Sequence, residues 1–212
     1  MKLGALTILV SIIMTGSLFA QDLEPIELNT PDTERGEAIM QALAQRRSVR
    51  QWSDRELSDQ DISDLLWAAN GVNRPEEGKR TAPTAFNVQD IDLYIFTEDG
   101  VYHYDAFANV LDPVLRGDIR SEAGIQGFVG TAPVTVLIVS DMSRYSRGNE
   151  AEHAQYAAMH AGIVSQNISL FCSGNGMGTV VIGMLDAEAL HRRLNLKDSQ
   201  VVLLSHPVGY ID

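Results

Sequence analysis

Residues 91–105, IDLYIFTEDGVYHYD, are two runs of β-branched and aromatic residues on either side of Asp99-Gly100. Asp-Gly fits the type I′ turn that joins antiparallel strands, so the stretch reads as a β-hairpin. Downstream, VTVLIVS (134–140) is a continuous apolar run with the length of a buried strand. Residues 149–172 have helix length and carry Ala154, Ala157, Ala158, Ala161 and Ser165, a face of small side chains that suits core packing or a dimer contact. TVVIGML (179–185) reads as a strand, Asp186 caps a short helix through Leu194, and VVLLSHPVGY (201–210) is the last strand. Upstream, Ser58 and Asp61 have capping-box spacing before the stripe Ile62, Leu65, Leu66 and Ala69, which Gly71 ends. Thr30-Pro31 reads as a helix start, with Ile39, Met40 and Leu43 carrying one helix to about Gln45. Residues 72–90 form a long loop, and residues 106–130 carry the weakest pattern. Helices, a hairpin, a strand, a long helix and two more strands predict an α+β fold, a mixed sheet flanked by helices.

The chain has 212 residues, 45% hydrophobic and 21% charged, the balance of a globular protein with one sizeable core. That excludes collagen, a disordered tail and a polytopic membrane protein. A net charge of -12 opposes nonspecific binding to nucleic acid or an anionic membrane, so a bound anion needs a local cationic site. Lys2, the apolar run at 5–14 and the small-residue end at Ala20 read as a secretory signal peptide over residues 1–20. An uncleaved anchor is the alternative, although glycines, serines and threonines dilute the run. An N-terminal arm (21–35) and one domain (36–212) follow. The expected location is exported, periplasmic or secreted, with no stable membrane insertion after cleavage. Cys172 is the only cysteine, which excludes an internal disulfide and a thiolate metal cluster, and its apolar setting reads as a buried structural thiol.

RRSVR (46–50) sets Arg46, Arg47 and Arg50 around Ser48. Guanidinium groups offer paired donors that match phosphate oxygens, yet cations also favour a helix C-terminus, and both readings stand. In GKRTAPTAFNVQ (78–89), Pro83 fixes the backbone while Thr84, Asn87 and Gln89 offer polar groups that can meet the edge of a planar heterocycle; a surface connector is the alternative. Gly174, Gly176 and Gly178 lead into a strand without G-x-G-x-x-G spacing, which rejects a dinucleotide fingerprint and suggests a helix-to-strand turn. Gly183 lets the backbone lie against something flat. Glu150-x-x-His153 occurs once and H-E-x-x-H is lacking, so no metal site is expected. Ser48 lacks a nucleophile-elbow context.

In order, RRSVR, RTAPTAFNVQ and GMGTVVIGM resemble the nitroreductase-like FMN-dependent oxidoreductase superfamily. LLWAANGVNRP, GKRTAPT, DGVYHYD and QNISLFC are most similar to its branch containing peptide azoline dehydrogenases, whose members often carry arginine where Ile182 stands. The resemblance spans residues 36–210. It implies a nitroreductase-like fold, an intertwined homodimer and FMN at the subunit interface. Arg46, Arg47 and Ser48 would take the phosphate and ribityl chain, with Arg50 by the pyrimidine edge. Pro83, Thr84, Ala85 and Asn87 match the loop that reaches the flavin from the partner subunit, and Val181, Ile182 and Gly183 the strand that lies along the ring near N5. The basic residue many members place near the C-terminus has no counterpart, because the last cation is Lys197 and the chain ends GYID. The resemblance further implies two-electron transfer to or from a small organic substrate, with the electron donor unknown and no residue assigned as acid or base. The alternative is a relative that holds a flavin or other ligand without turnover.

Overall fold

The computed structural model describes residues 23–212; the expected signal peptide, and Gln21 and Asp22 of the arm, lie outside the described residues. The elements run β1 (Ile26–Glu27), α1 (Ile39–Gln45), α2 (Asp59–Asn70), β2 (Val72–Arg74), β3 (Lys79–Arg80), β4 (Ile91–Phe96), β5 (Gly100–Asp105), β6 (Val110–Arg116), β7 (Val134–Asp141), α3 (Glu150–Gly174), β8 (Met177–Thr179), α4 (Ala187–Arg193) and β9 (Gln200–Tyr210). Seven strands form one sheet in the order β1-β6-β5-β4-β7-β9-β8, while β2 and β3 pair separately. Its ladders are antiparallel, and one parallel bridge, Ser48–Thr179, joins the segment after α1 to the β8 edge.

Helices and loops cover both faces of this sheet. Along β4, Ile91, Leu93 and Ile95 enter a core with Leu65, Leu66 and Ala69 of α2 and Ala161, Val164 and Ile168 of α3. Tyr94 and Phe96 point the other way, to a second core with Val129, Leu190 and Leu194. β7 divides alike, Val136 and Ile138 against Leu137 and Val139. A strand apolar on both faces reads as an uninterrupted run, which explains why 134–140 is so legible.

Several local expectations are corrected. Phe96 pairs with Val101, so the hairpin turns through Glu98 and Asp99, not Asp99-Gly100. Neither Asp99 nor Gly100 has a positive φ, which excludes type I′. Gly100 is needed for spacing, since a Cβ there would collide with the Leu115 carbonyl oxygen on β6. α1 begins at Ile39 behind Ala38, which offers no capping side chain, and not near Pro31. It buries only Ala42 and leaves Ile39, Met40 and Leu43 58%, 72% and 47% exposed. The small-residue face of α3 splits: Ala157, Ala161 and Ser165 are buried, Ala154 and Ala158 exposed. The strand expected at 179–185 is confined to Met177–Thr179, after which Ile182 rejoins β9 through a single bridge to Ser205. The 72–90 loop contains the β2–β3 pair.

The segment before α1 is tied down by charge. Arg35 reaches Asp61 at 2.9 Å and Asp64 at 2.7 Å on α2, and Asn175 Oδ1 at 2.9 Å beyond α3. Asp61 also closes the capping box with Ser58, and these hydrogen bonds hold its carboxyl below the usual range despite burial.

Candidate functional site

α1 ends at Gln45, and Arg46, Arg47, Ser48 and Arg50 follow it, all exposed. Among the described residues, neither the Arg46 nor the Arg47 guanidinium makes a hydrogen bond or ion pair, although Arg35, Arg120 and Arg144 are each paired with carboxylates. Both line a cleft of about 500 Å³ with Val49, Ser169, Ser173 and Thr179. Arg47, Ser48 and Arg50 also border a second hollow of about 660 Å³ with Trp52, Phe128 and Asp212. The Arg50 guanidinium lies 6.0 Å from the Phe128 ring centre. The sequence reading missed Trp52 and Phe128; an indole two residues past the arginine run was the available signal.

This segment is strung along β8. Val49 N–H donates to the Thr179 carbonyl at 2.9 Å, and Trp52 Nε1 donates to that of Gly178 at 2.8 Å. Glycine at 178 permits the approach, because a Cβ there would stand 2.6 Å from side-chain atoms of both Val49 and Ile211. Behind it, His206 on β9 lies between Thr179 Oγ1 at 3.1 Å and Ser165 Oγ at 2.8 Å, and burial pushes its pKa down to about 3. Cys172 sits at the cleft floor, where burial raises its thiol pKa well above the ordinary value.

Ile182 buries its side chain in the second core, and its backbone N–H and C=O both bond to Ser205, at 2.8 and 2.9 Å. Val181 and Gly183 are exposed, and among the described residues neither backbone N–H has a partner. The chain thus brings 46–50 and the strand leading to 181–183 to one edge.

It leaves Pro83, Thr84, Ala85 and Asn87 elsewhere. Their loop is tied to the first half of α3, where Ala85 N–H donates to His160 Nε2 at 2.8 Å. The cleft meets α3 at Ser169 and Ser173, nine to thirteen residues further on, or roughly 14–20 Å along the axis. Phe86, Asn87 and Gln89 hold left-handed φ values of 54°, 56° and 48°. Arg144 grips this region through Asp92, at 2.6 and 2.7 Å, and the Gln89 carbonyl, at 2.6 Å.

Unpaired guanidinium groups, free peptide N–H groups and an aromatic wall form a donor set suited to an anionic, planar cofactor. The nitroreductase family profile matches residues 43–210, a span holding the 46–50, 83–87 and 181–183 segments. A Methanocaldococcus jannaschii protein, provisionally named a nitroreductase, is 29% identical over 196 residues, 88% of this chain and 97% of its own length. A crystal structure from Ralstonia eutropha JMP134, likewise provisionally named, aligns with a TM-score of 0.84 at 34% identity, covering 89% of this chain and 90% of that one. The Vibrio harveyi NADPH:FMN oxidoreductase, complexed with NAD+, shares the fold at TM-score 0.63 and 20% identity, over 82% of this chain and 69% of its own. The class is an oxidoreductase of the flavin type. The chain belongs to the nitroreductase family.

Proposed function

We propose that this protein is an exported FMN-dependent oxidoreductase, working as a homodimer on a small organic substrate. The observation that carries the reading is the pair of unpaired guanidinium groups, Arg46 and Arg47, at the same sheet edge as the free N–H groups of Val181 and Gly183 in a chain of net charge -12. Arg46, Arg47 and the Ser48 hydroxyl hold the phosphate and ribityl chain, Arg50 lies by the pyrimidine edge, and the 181–183 backbone lines the ring. Bound FMN would supply two-electron chemistry at N5. The separation along α3 supports the homodimer: a second copy would supply Pro83, Thr84, Ala85 and Asn87 to the edge they do not reach within one chain. The exposed apolar residues of α1, with Met159 and Ile163 of α3 at 47% and 36% exposure, are the surface that copy covers. Export is inferred from the signal-like residues 1–20, and it removes the protein from the cytoplasmic nicotinamide pool, so NADH and NADPH are expected to be poor donors.

The test is a titration of the purified mature protein with FMN, followed by anaerobic reduction and reoxidation by a small acceptor. One FMN per chain that bleaches and recovers is expected. Absence of binding refutes the reading, and binding without turnover reduces it to a flavin-holding module. Rapid saturable bleaching by micromolar NADH refutes the donor expectation alone.

A further inference from the structure

One buried polar cluster has no part in that reading: Asp90, Ser140, Tyr145 and His160. Asp90 is fully buried and His160 is 4% exposed. The group facing His160 Nε2 is a backbone N–H, that of Ala85 at 2.8 Å. An amide N–H can only donate, so Nε2 is the bare nitrogen and the ring proton sits on Nδ1. From there it is donated to Asp90 Oδ1 at 2.6 Å, while the Ser140 hydroxyl donates to Asp90 Oδ2 at 2.6 Å. Tyr145 stacks parallel to the imidazole at 6.4 Å between centroids, with its hydroxyl 3.3 Å from Nδ1. The aspartate thus fixes the tautomer, and the tautomer presents the acceptor.

The acceptor serves a strained loop. Left-handed φ at Phe86, Asn87 and Gln89 is disfavoured for residues with a Cβ and persists where the surroundings over-determine it. Gln89 is anchored from several sides: its N–H donates to Thr84 Oγ1 at 3.0 Å and its Nε2 to the Gly78 carbonyl at 2.7 Å. His160 supplies the tie in the middle, at Ala85.

We propose that His160, held in the Nδ1–H form by Asp90, is a positioning residue that fixes the Pro83–Asn87 loop in the shape it presents to the cofactor across the subunit interface. This rests on the reading of 83–87 as a flavin contact. His160 touches no reacting atom and acts through the Ala85 peptide.

Two variants test it in the full mature chain. His160→Gln places a carboxamide oxygen near Nε2 and keeps the acceptor. His160→Leu combined with Asp90→Asn removes the acceptor without stranding a buried charge. Hydrogen–deuterium exchange of the 83–89 peptide, FMN titration and nitrogen NMR of His160 are read together. The double variant is expected to exchange about three- to tenfold faster at 83–89 and to bind FMN weaker by a similar factor, with His160→Gln restoring both. The wild-type spectrum should show an unprotonated Nε2. A protonated Nε2, or unchanged exchange in the folded double variant, overturns the proposal whether or not FMN binds. Faster exchange with unchanged FMN affinity overturns the loop's role at the cofactor while leaving the arginine site standing. Failure of the wild type to bind FMN overturns the proposed function, and exchange still reads the latch.

Discussion

His206 makes stability depend on pH in a calculable way. It is fully buried between Ser165 and Thr179, and its pKa is pushed down to about 3. In the unfolded chain the same imidazole titrates near 6.5. The native state therefore excludes a proton that the unfolded state takes up, and stability falls as pH drops below about 6.5. Over most of that range the slope is the full one-proton value, which integrates to about 2 kcal/mol between pH 7 and pH 5. Urea unfolding of wild type and His206→Gln at pH 7, 6 and 5 measures it. Glutamine can still join the two hydroxyls but does not titrate, so the gap between the two stabilities should shift by about 2 kcal/mol in glutamine's favour on going to pH 5. Asp61 and Asp92 have lowered pKa values, so their stabilising contributions are lost only at more acid pH, below this window. Parallel pH curves for the two proteins would show that the native state accommodates a charged His206 and that the burial argument is wrong.

Arg46→Ala or Arg47→Ala should weaken FMN by about ten- to a hundredfold in a fluorescence titration, the loss of one charge-assisted contact. Arg74, whose guanidinium has no partner among the described residues, is the control, and equal losses at all three would remove the phosphate assignment. Arg35→Ala strands Asp61 and Asp64, whose side chains are 5% and 3% exposed. Because Arg35 itself is 21% exposed and both carboxylates keep other donors, the cost should be near the low end for a broken buried pair, about 3 kcal/mol by urea unfolding; under about 0.5 would contradict it. Met40→Asp with Ile163→Asp should give a monomer by light scattering with little bound FMN, and a flavin-saturated monomer would contradict the composite site. Cys172 should resist a thiol reagent in the native state and react on unfolding, since burial both hides it and disfavours the thiolate.

Legibility in the sequence tracked how local each signal was. The Ser58–Asp61 capping box, the 149–172 helix and the 134–140 strand depend on neighbours a few residues away, and each lies within a residue or two of its expected place. Non-local contacts misled the rest. Thr30-Pro31 carries the residue types of a helix start, yet Arg35 draws the following segment onto α2 instead. β6 was invisible because Asp112, Pro113 and Arg116 interrupt its apolar pattern. The 46–50 run was readable as chemistry, but no one-dimensional pattern could say that its arginines would lack carboxylates while Arg144 found Asp92, 52 residues away. His160 carries no local signal, since its partners Ala85 and Asp90 lie 75 and 70 residues upstream.

The seven-stranded sheet ends on both sides in strands too short to recruit another chain. β1 offers two residues and β8 three, and the β8 edge already receives Val49 and the Ser48 bridge. The 11-residue β9 is flanked by β8 only at Val208–Tyr210 and by the Ile182 bridge at Ser205, and α4 packs against it. Edge-to-edge growth, the usual route from an open sheet to aggregates, has only two- and three-residue strands to extend at the outermost positions. The proposed association of two copies is left to side chains on helices, where contact geometry can limit assembly to a closed pair.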